Sequence, residues 1–308
     1  PAFCIFKKTK YMRVFYFFGL FLLLSCSKEK ESSTLPAPIT GPLELTLLAP
    51  LEDALAESSG LLVFGEELLS HNDSGNANAL YRVNPSSGEV TQSLTIGTTS
   101  NTDWEDLAQD ATHIYIGDIG NNNGSRKDLK IYKIAKEELT AIDGQELAVA
   151  TISFSYELQD SFTPAPFRTN FDAEALVVME GDLYVFTKNW GNQKTDVYKI
   201  PTTAGVYEAL HVGTLDVAGF VTAADYDVQN NALLLIGYTT VAPFLVKMDA
   251  VNLQDISNGN FERYELQVPT AFSRQLEAVC FFESYLYLSS EQSSDGAAGL
   301  FRLEMNAL

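Results

Sequence analysis

The sequence predicts an all-β fold, a β-propeller built from four-stranded antiparallel blades. One unit of short apolar strands recurs five times, and turns rich in Gly, Asn and Asp separate the strands. The strands are rich in β-branched and aromatic residues, which favours β-structure. Four-stranded sheets repeated around an axis form a propeller, because this arrangement leaves only short edges unpaired. Beyond the N-terminal 25 residues, no segment shows a sustained helical period.

Each unit begins with an acidic residue that leads the first strand. A second strand, a polar loop and a third strand follow, and a fourth strand precedes the next unit. The leading residues are Glu57, Glu105, Glu174, Asp225 and Glu277, and fourth strands are predicted around Val90–Ile96, Ala150–Tyr156, His211–Val217 and Phe261–Leu266. The last unit lacks a fourth strand, so we expect Leu43–Leu48 to supply it and close the ring. The long interval between Glu105 and Glu174 leaves six blades as the alternative.

The N-terminal segment, residues 1–25, predicts upstream residues followed by a lipoprotein signal peptide. Met12 is the expected start, and the apolar run from Val14 to Leu24 is too short to cross a bilayer as a helix. The ending Leu23-Leu24-Ser25-Cys26 resembles the lipobox of bacterial lipoproteins, which implies cleavage before Cys26 and acylation of that cysteine. The alternative is an ordinary signal peptide, or an uncleaved anchor, with a cysteine there by chance.

Residues 26–43 then predict the lipidated cysteine and a flexible polar tether, and residues 44–308 the propeller domain. Several acyl chains together hold a protein firmly on a membrane. The expected location is therefore the cell envelope, on the outer membrane and outside the cytoplasm. We expect the propeller to be a monomer.

The charge of the chain restricts its partners. It carries 40 acidic and 20 basic residues, for a formal net charge of −20. This excess opposes binding to nucleic acid or to anionic lipid, whereas calcium and cationic ligands fit it. Cys4 precedes the expected start, Cys26 would be acylated, and only Cys280 remains within the fold, so no disulfide framework is expected.

A ring of carboxylates is the predicted site. The first strand of each blade begins, and the second ends, on one face of a propeller, so the five leading acidic residues should surround one mouth of the channel. Close carboxylates raise one another's pKa unless a cation compensates. Calcium takes about six to eight oxygen ligands, which predicts a calcium ion held by Glu57, Glu105, Glu174, Asp225 and Glu277. Alternatively, each residue caps a neighbouring blade and recurs only because the blade recurs.

Polar loops near this mouth supply the other candidates. The predicted ligand-binding residues are Asn72, Asp73, Asp118, Asn121, Asn122, Asp172, Lys188, Asn189, Trp190, Tyr238 and Glu291. Residues without an equivalent in every unit are the catalytic candidates, namely His71, Asp103, Glu105 and Lys188. His71 fits a general base, yet Asn72-Asp73-Ser74-Gly75 is also ordinary turn chemistry. Lys188 fits an anion-binding group or a partner of the acidic ring.

Several catalytic motifs are missing from the sequence. It contains no Gly-x-Ser-x-Gly elbow, no phosphate-binding glycine loop followed by Lys, no His-Glu-x-x-His and no Cys-x-x-Cys. Covalent serine, nucleotide and zinc mechanisms therefore lose support.

Six segments resemble a group of secreted bacterial propeller lipoproteins. They are Ser59-Gly60-Leu61, the loop from His71 to Gly75, Asp103-Trp104-Glu105-Asp106-Leu107, Ile116 to Asn122, Asp172-Ala173-Glu174-Ala175-Leu176 and Phe186 to Trp190. The resemblance runs over most of residues 44–308. It implies a propeller fold and no particular activity.

A more distant resemblance concerns Glu57. A glutamate leading the first inner strand is similar to the first metal ligand of the six-bladed gluconolactonase and senescence-marker propellers, and the Glu-Ala-Leu segments are similar to esterase-like phytase propellers. Two functions follow as expectations. The first is a binding or scaffold lipoprotein for a small molecule, glycan or protein, with an acidic, calcium-binding mouth. The alternative is a calcium-dependent hydrolase of a lactone, ester or phosphoester.

Overall fold

The computed structural model describes residues 39–97, 99–140 and 146–308. The predicted signal peptide, Cys26 and the tether up to residue 38 lie outside the described residues. Two strands, β1 (Ile39–Glu44) and β2 (Thr46–Pro50), come first. The described residues contain four short 3₁₀ helices, at Asp53–Leu55, Lys136–Thr140, Ile256–Asn258 and, after the last strand, Met305–Ala307. Within the described ranges, no helix has the length and apolar character needed to span a membrane.

The remaining strands form five consecutive antiparallel units, which we call blades 1 to 5. Blade 1 contains β3 (Ser58–Phe64), β4 (Glu67–Asn72), β5 (Ala79–Val83) and β6 (Val90–Thr95). Blade 2 contains β7 (Trp104–Gln109), β8 (His113–Asp118), β9 (Lys130–Ala135) and β10 (Ala150–Tyr156). Blade 3 contains β11 (Ala173–Met179), β12 (Asp182–Thr187), β13 (Thr195–Pro201) and β14 (Gly205–Leu215).

Blade 4 contains β15 (Phe220–Asp227), β16 (Ala232–Tyr238), β17 (Pro243–Asp249) and β18 (Glu262–Gln267). Blade 5 contains β19 (Leu276–Phe282), β20 (Tyr285–Ser290) and β21 (Gly299–Glu304). The first strands of the blades, β3, β7, β11, β15 and β19, contact one another in that order, and β19 contacts β3. This closed ring of inner strands confirms a propeller with five blades, and the alternative of six is wrong.

Both ends of the chain complete blade 5. Strand β2 pairs antiparallel with β21, with Leu47 opposite Phe301. Closure by the N-terminal strand is therefore confirmed, although this strand begins at Thr46 rather than at Leu43.

Strand β1 was not expected. It pairs in parallel with β18, with Leu43 opposite Leu266, and adds a fifth strand to blade 4. Residues 39–43, which the sequence assigned to the tether, thus belong to a strand. The physical reason is that Leu43 packs against the apolar cluster that includes Leu266 and Phe301.

A second parallel pairing joins two blades. Strand β14 begins at Gly205, six residues before the predicted His211, and its first residues pair with β10, so that Ile152 lies opposite Gly205. Blades 2 and 3 consequently form one eight-stranded sheet. The apolar core lies between adjacent blades, as where Phe186 of blade 3 packs in one cluster with Leu235 and Phe244 of blade 4. Burying each such side chain stabilises the fold by about 1.5–3 kcal/mol.

Candidate functional site

A β-bulge near the start of every inner strand determines which side chains reach the channel mouth. Bulges insert one unpaired residue and redirect its side chain. The inserted residue is a glutamate in blades 2, 3 and 5, whereas blades 1 and 4 have a glycine and a threonine. These residues are Gly60, Glu105, Glu174, Thr222 and Glu277. The three glutamates line one cavity of about 200 Å³.

Two of the five predicted metal ligands do not join this ring. Glu57 lies three residues before the bulge of blade 1, is exposed, and accepts a hydrogen bond from Asn76. Asp225 lies three residues beyond the bulge of blade 4 and accepts the Phe281 N–H at 2.7 Å. It lines a different cavity, with Asp110, and burial raises its pKa to about 6. The prediction that all five leading acidic residues are equivalent was wrong for these two. The bulge determines which residue of each inner strand faces the channel, and in blades 1 and 4 that residue is not acidic.

The cavity has two chemically different sides. Its acidic side combines carboxylates of blades 5, 1 and 2, which are consecutive in the ring. These are Asp73, Glu105, Glu277 and Glu291. Its aromatic side comes from blades 3 and 4 and the connection before β11, and contains Phe167, Lys188, Trp190 and Tyr238. Ser59, Asn122, Glu174 and Gln275 complete the lining.

Three carboxylates, two of the acidic side and one beside the cavity, lie close enough to share a cation. Asp73, Asp103 and Glu105, which we call the carboxylate trio, each offer one oxygen within 4.8 Å of the others. Burial, and then the charge of Asp73, raises the pKa of Asp103 to about 7, although the Arg126 guanidinium lies 3.9 Å away. Arg126 forms its closer ion pair with Asp118, whose Oδ1 lies 2.7 Å from Arg126 Nη2. Ionising all three groups would therefore leave negative charge that the surroundings do not compensate.

Glu105 is the most exceptional member of the trio. It is 95% buried, since its relative exposure is 5%. Burial, and then the nearby Glu174, raises its pKa well above the ordinary value. In the part of the chain that the structure describes, no group donates a hydrogen bond to its carboxylate. Buried carboxylates normally have such partners. Its oxygens are not among the fully enclosed atoms that lack a partner, so they face the cavity and are open to water or a ligand.

Lys188 pairs with a carboxylate of its own blade. Its Nζ lies 2.7 Å from Glu174 Oε2, and 5.1 Å from the ring centroids of both Trp190 and Tyr238. Burial opposes its charged form, but Glu174 and Glu277 outweigh this effect and hold the pKa of Lys188 above its usual value. Of the two expectations for Lys188, the structure shows the pairing with acidic residues.

Blade 5 adds two carboxyl groups with raised pKa values. Burial raises the pKa of Glu277 to about 8, although Lys188 acts in the opposite direction. Burial, and then Asp73, raises the pKa of Glu291 to about 7, and Gln275 Nε2 donates to its Oε1 at 2.7 Å. Among the described residues, none donates a hydrogen bond to Glu277.

His71 does not line the cavity. Its side chain is fully buried in β4, where Nδ1 donates to the Asn72 carbonyl at 2.9 Å and the ring contacts Trp104 edge-on at 5.6 Å. Burial lowers the pKa of His71 to about 4, so the imidazole is neutral at physiological pH. The structure thus places this candidate base between blades 1 and 2, as part of the core.

Several predicted ligand-binding residues instead hold the loops around the cavity. Asn72 Nδ2 donates to the Ala54 carbonyl at 2.8 Å, and Asn189 Nδ2 to Asp196 Oδ2 at 2.9 Å. Asp172 accepts the Asn121 N–H at 2.6 Å and the indole N–H of Trp190 at 2.7 Å.

Three lining residues were missed by the sequence reasoning, namely Ser59, Phe167 and Gln275. Ser59 lies in β3 and Gln275 directly precedes β19, where alternating polar residues give no specific signal. Glu174 was predicted as a metal ligand, and the structure pairs it with Lys188. Phe167 lies in the connection between β10 and β11 and lines the cavity at 61% exposure. Phe162 and Phe171 lie in the same connection, so the sequence contains no signal that singles out Phe167.

No protein-family model matches the chain, and no curated protein matches it. Among solved structures it is similar to a GH43_1 enzyme from Xanthomonas citri complexed with xylotriose, with a TM-score of 0.50, 11% identity, and coverage of 84% of this chain and 89% of that one. It is similar to PQQ-bound aldose sugar dehydrogenase from Streptomyces coelicolor, with a TM-score of 0.49, 12% identity and coverage of 87% and 99%. An α-L-arabinanase from Penicillium chrysogenum, complexed with arabinobiose, gives a TM-score of 0.49, 9% identity and coverage of 86% and 98%. The first likeness supports the propeller fold alone.

Proposed function

We propose that this protein is a lipid-anchored, extracytoplasmic binding module whose acidic cavity holds a calcium ion on the carboxylate trio. The observation that carries the proposal is Glu105, a buried carboxylate without a hydrogen-bond donor, beside the oxygens of Asp73 and Asp103. A cation at this point would supply a partner for Glu105 and would add to the Ser74 N–H that Asp73 accepts and to the more distant Arg126 beside Asp103. It would also lower the pKa values that burial raises.

The donor set favours calcium over other ions. The trio offers only carboxylate oxygens, which are hard ligands, and it contains neither His nor Cys. Zinc sites normally include such nitrogen or sulfur ligands. Calcium tolerates irregular geometry and takes about six to eight oxygens, so positions beyond the trio remain for water or for a bound molecule.

A binding role is favoured over catalysis because no complete catalytic set converges on the cavity. His71 is buried elsewhere, and Lys188 is held by Glu174. Anchoring through Cys26 and a polar tether would present the propeller at the membrane surface, where the mouth takes a small molecule, a glycan or a protein.

Thermal unfolding of the full chain tests the calcium site. A ligand that binds only the folded state at ~100 times its Kd stabilises it by roughly 2.7 kcal/mol. We expect Tm to rise in millimolar calcium relative to chelator, and the rise to disappear in Glu105→Gln and Asp103→Asn. Glu57→Gln is the control: it also removes one negative charge, but from an exposed position, and the calcium-induced rise in Tm should remain. An unchanged wild-type Tm would refute the site.

The alternative function, a calcium-dependent hydrolase, is favoured by one observation. Glu291 and Glu277 have pKa values of about 7 and 8, which suit general acid–base catalysis near neutrality. Turnover of a lactone, ester or phosphoester that requires calcium and is lost in Glu291→Gln, while calcium binding persists, would establish it. Absence of turnover across these three classes would leave the binding role.

A further inference from the structure

Phe167 stands at the rim of the cavity in an unusual conformation. Its φ is 52°, in the left-handed region that residues other than glycine, asparagine and aspartate rarely adopt. The side chain is 61% exposed, although it is large and apolar. A positive φ at a residue with so large a side chain persists only where the surrounding structure imposes it.

Contacts with blade 2 impose this conformation. The Phe167 N–H donates to the Asn122 carbonyl at 3.1 Å, and the Ala165 N–H donates to the Asn123 carbonyl at 2.8 Å. The Phe167 ring contacts Trp190 edge-on, with centroids 5.0 Å apart. These contacts hold the Phe167 ring against Trp190 on the aromatic side of the cavity.

The aromatic side is unsuited to an organic cation. Trp190 packs on Phe220 at 4.8 Å, and Lys188 already lies within cation–π distance of Trp190 and Tyr238. A second cation there would be repelled by the Lys188 ammonium.

An anionic ligand is also disfavoured. Five carboxylates line the cavity, and Lys188 is the one Lys or Arg among the described lining residues. Lys188, the one side chain that could pair with an anion, is already paired with Glu174 at 2.7 Å. The ionised lining carboxylates only accept hydrogen bonds, whereas the Lys188 ammonium has three donors, of which Glu174 accepts one. A suitable ligand is uncharged, carries both donors and acceptors, and has an apolar face.

We propose that the cavity binds a neutral sugar whose ring packs against Phe167 while its hydroxyl groups contact the acidic side and Lys188. This inference rests on the proposed function, because hydroxyl oxygens of the sugar would occupy the coordination positions of the calcium ion that the trio leaves open. Hydroxyl groups both donate and accept, which matches acceptors on one side and an ammonium on the other. The Phe167 ring supplies the apolar face.

Saturation-transfer NMR on the full chain tests the proposal with a panel of neutral mono- and disaccharides. Choline and glucosamine serve as cationic comparators, and glucose 6-phosphate and glucuronate as anionic ones. We expect at least one neutral sugar to bind in calcium, and to bind at least about fivefold more weakly in chelator. Phe167→Gly, which removes the ring and relieves the backbone strain, should weaken it by at least about fivefold. Leu158→Ala, an exposed apolar change on the same connection, is the matched control and should have no effect.

Calcium-induced stabilisation of the same variants separates the two proposals. Phe167→Gly should retain the calcium-induced rise in Tm, because Phe167 is not a member of the trio. A retained rise with no neutral sugar bound would overturn the sugar site and leave the calcium site standing. Preferential binding of a charged comparator, or sugar binding unaffected by Phe167→Gly, would also overturn it. Loss of the calcium response in the wild type would refute the proposed function itself.

Discussion

Gly120 lies directly against Glu105: a Cβ built at Gly120 would stand 2.0 Å from Glu105 Oε1 and 2.5 Å from Asp103 Oδ2. Only a glycine therefore lets the two carboxylates occupy these positions. The Gly120 N–H donates to the Asp103 carbonyl at 3.2 Å, so the loop after β8 is held against the trio.

Gly120→Ala should therefore abolish or strongly weaken calcium binding. The new methyl group forces Glu105 and Asp103 apart, and we expect Kd for calcium to rise by at least about tenfold, which corresponds to about 1.4 kcal/mol. Titration calorimetry measures the change. Gly41→Ala is the control, since nothing lies within 4 Å of a Cβ there. Unchanged affinity in Gly120→Ala would show that the trio is not the site.

The cavity carboxylates also predict how stability depends on pH. Asp103 and Glu291 have pKa values of about 7, and Glu277 of about 8. A folded-state pKa above the unfolded value gives stability that is complete below the unfolded pKa and is lost as pH rises through the folded pKa. Without calcium, Tm should therefore increase as pH falls from 8.5 to 6.5. Each titrating group contributes up to about 1.4 kcal/mol per pH unit, and less where groups are coupled.

Calcium should flatten this dependence, because a bound cation replaces the protons at the trio. The pH range stops at 6.5 because of His71, whose pKa burial lowers to about 4 in the folded protein. Below about pH 6.5 this histidine is protonated in the unfolded chain but stays neutral in the fold, so further acidification lowers the stability. Scanning calorimetry in chelator and in calcium measures both slopes. A Tm that falls on acidification within this range would contradict the assignment of buried, uncompensated carboxylates.

The sequence allowed the blades to be predicted but not the register of the site. Alternating apolar residues and polar turns recur in every unit, so the five blades and the N-terminal closure followed from the pattern. The bulges did not follow, because an inserted residue such as Thr222 or Gly60 has no sequence signature of its own. Glu57 and Asp225 were therefore grouped with Glu105. Phe167 lies between β10 and β11, and Trp190 lies in the loop after β12. No local sequence pattern encodes the contact between these two rings.

The proposed lipid anchor predicts that substitution of Cys26 changes the location of the protein but not its calcium response. Several acyl chains on one cysteine hold a protein on a membrane, whereas the polar tether alone does not. Cys26→Ser should therefore move the protein from the membrane fraction to the soluble fraction, and the calcium-induced rise in Tm should persist. Ser27→Ala, which leaves the cysteine in place, is the control. A Cys26→Ser protein that still sediments with membranes would show that attachment lies elsewhere.

Asp106 is expected to stabilise the fold rather than to bind calcium. Its carboxylate accepts the N–H of Leu107 at 2.8 Å, of Leu176 at 2.9 Å and of Ala224 at 3.3 Å, and so connects blades 2, 3 and 4. Asp106→Asn places an amide N–H₂ where an acceptor is needed. A buried N–H left without its acceptor costs about 1–3 kcal/mol, so urea unfolding should show a loss of that size. Asp249→Asn, at an exposed position, should change stability by no more than about 0.5 kcal/mol. Because Asp106 lies outside the trio, Asp106→Asn should retain its calcium affinity. A loss of calcium binding without destabilisation would show instead that Asp106 belongs to the calcium site.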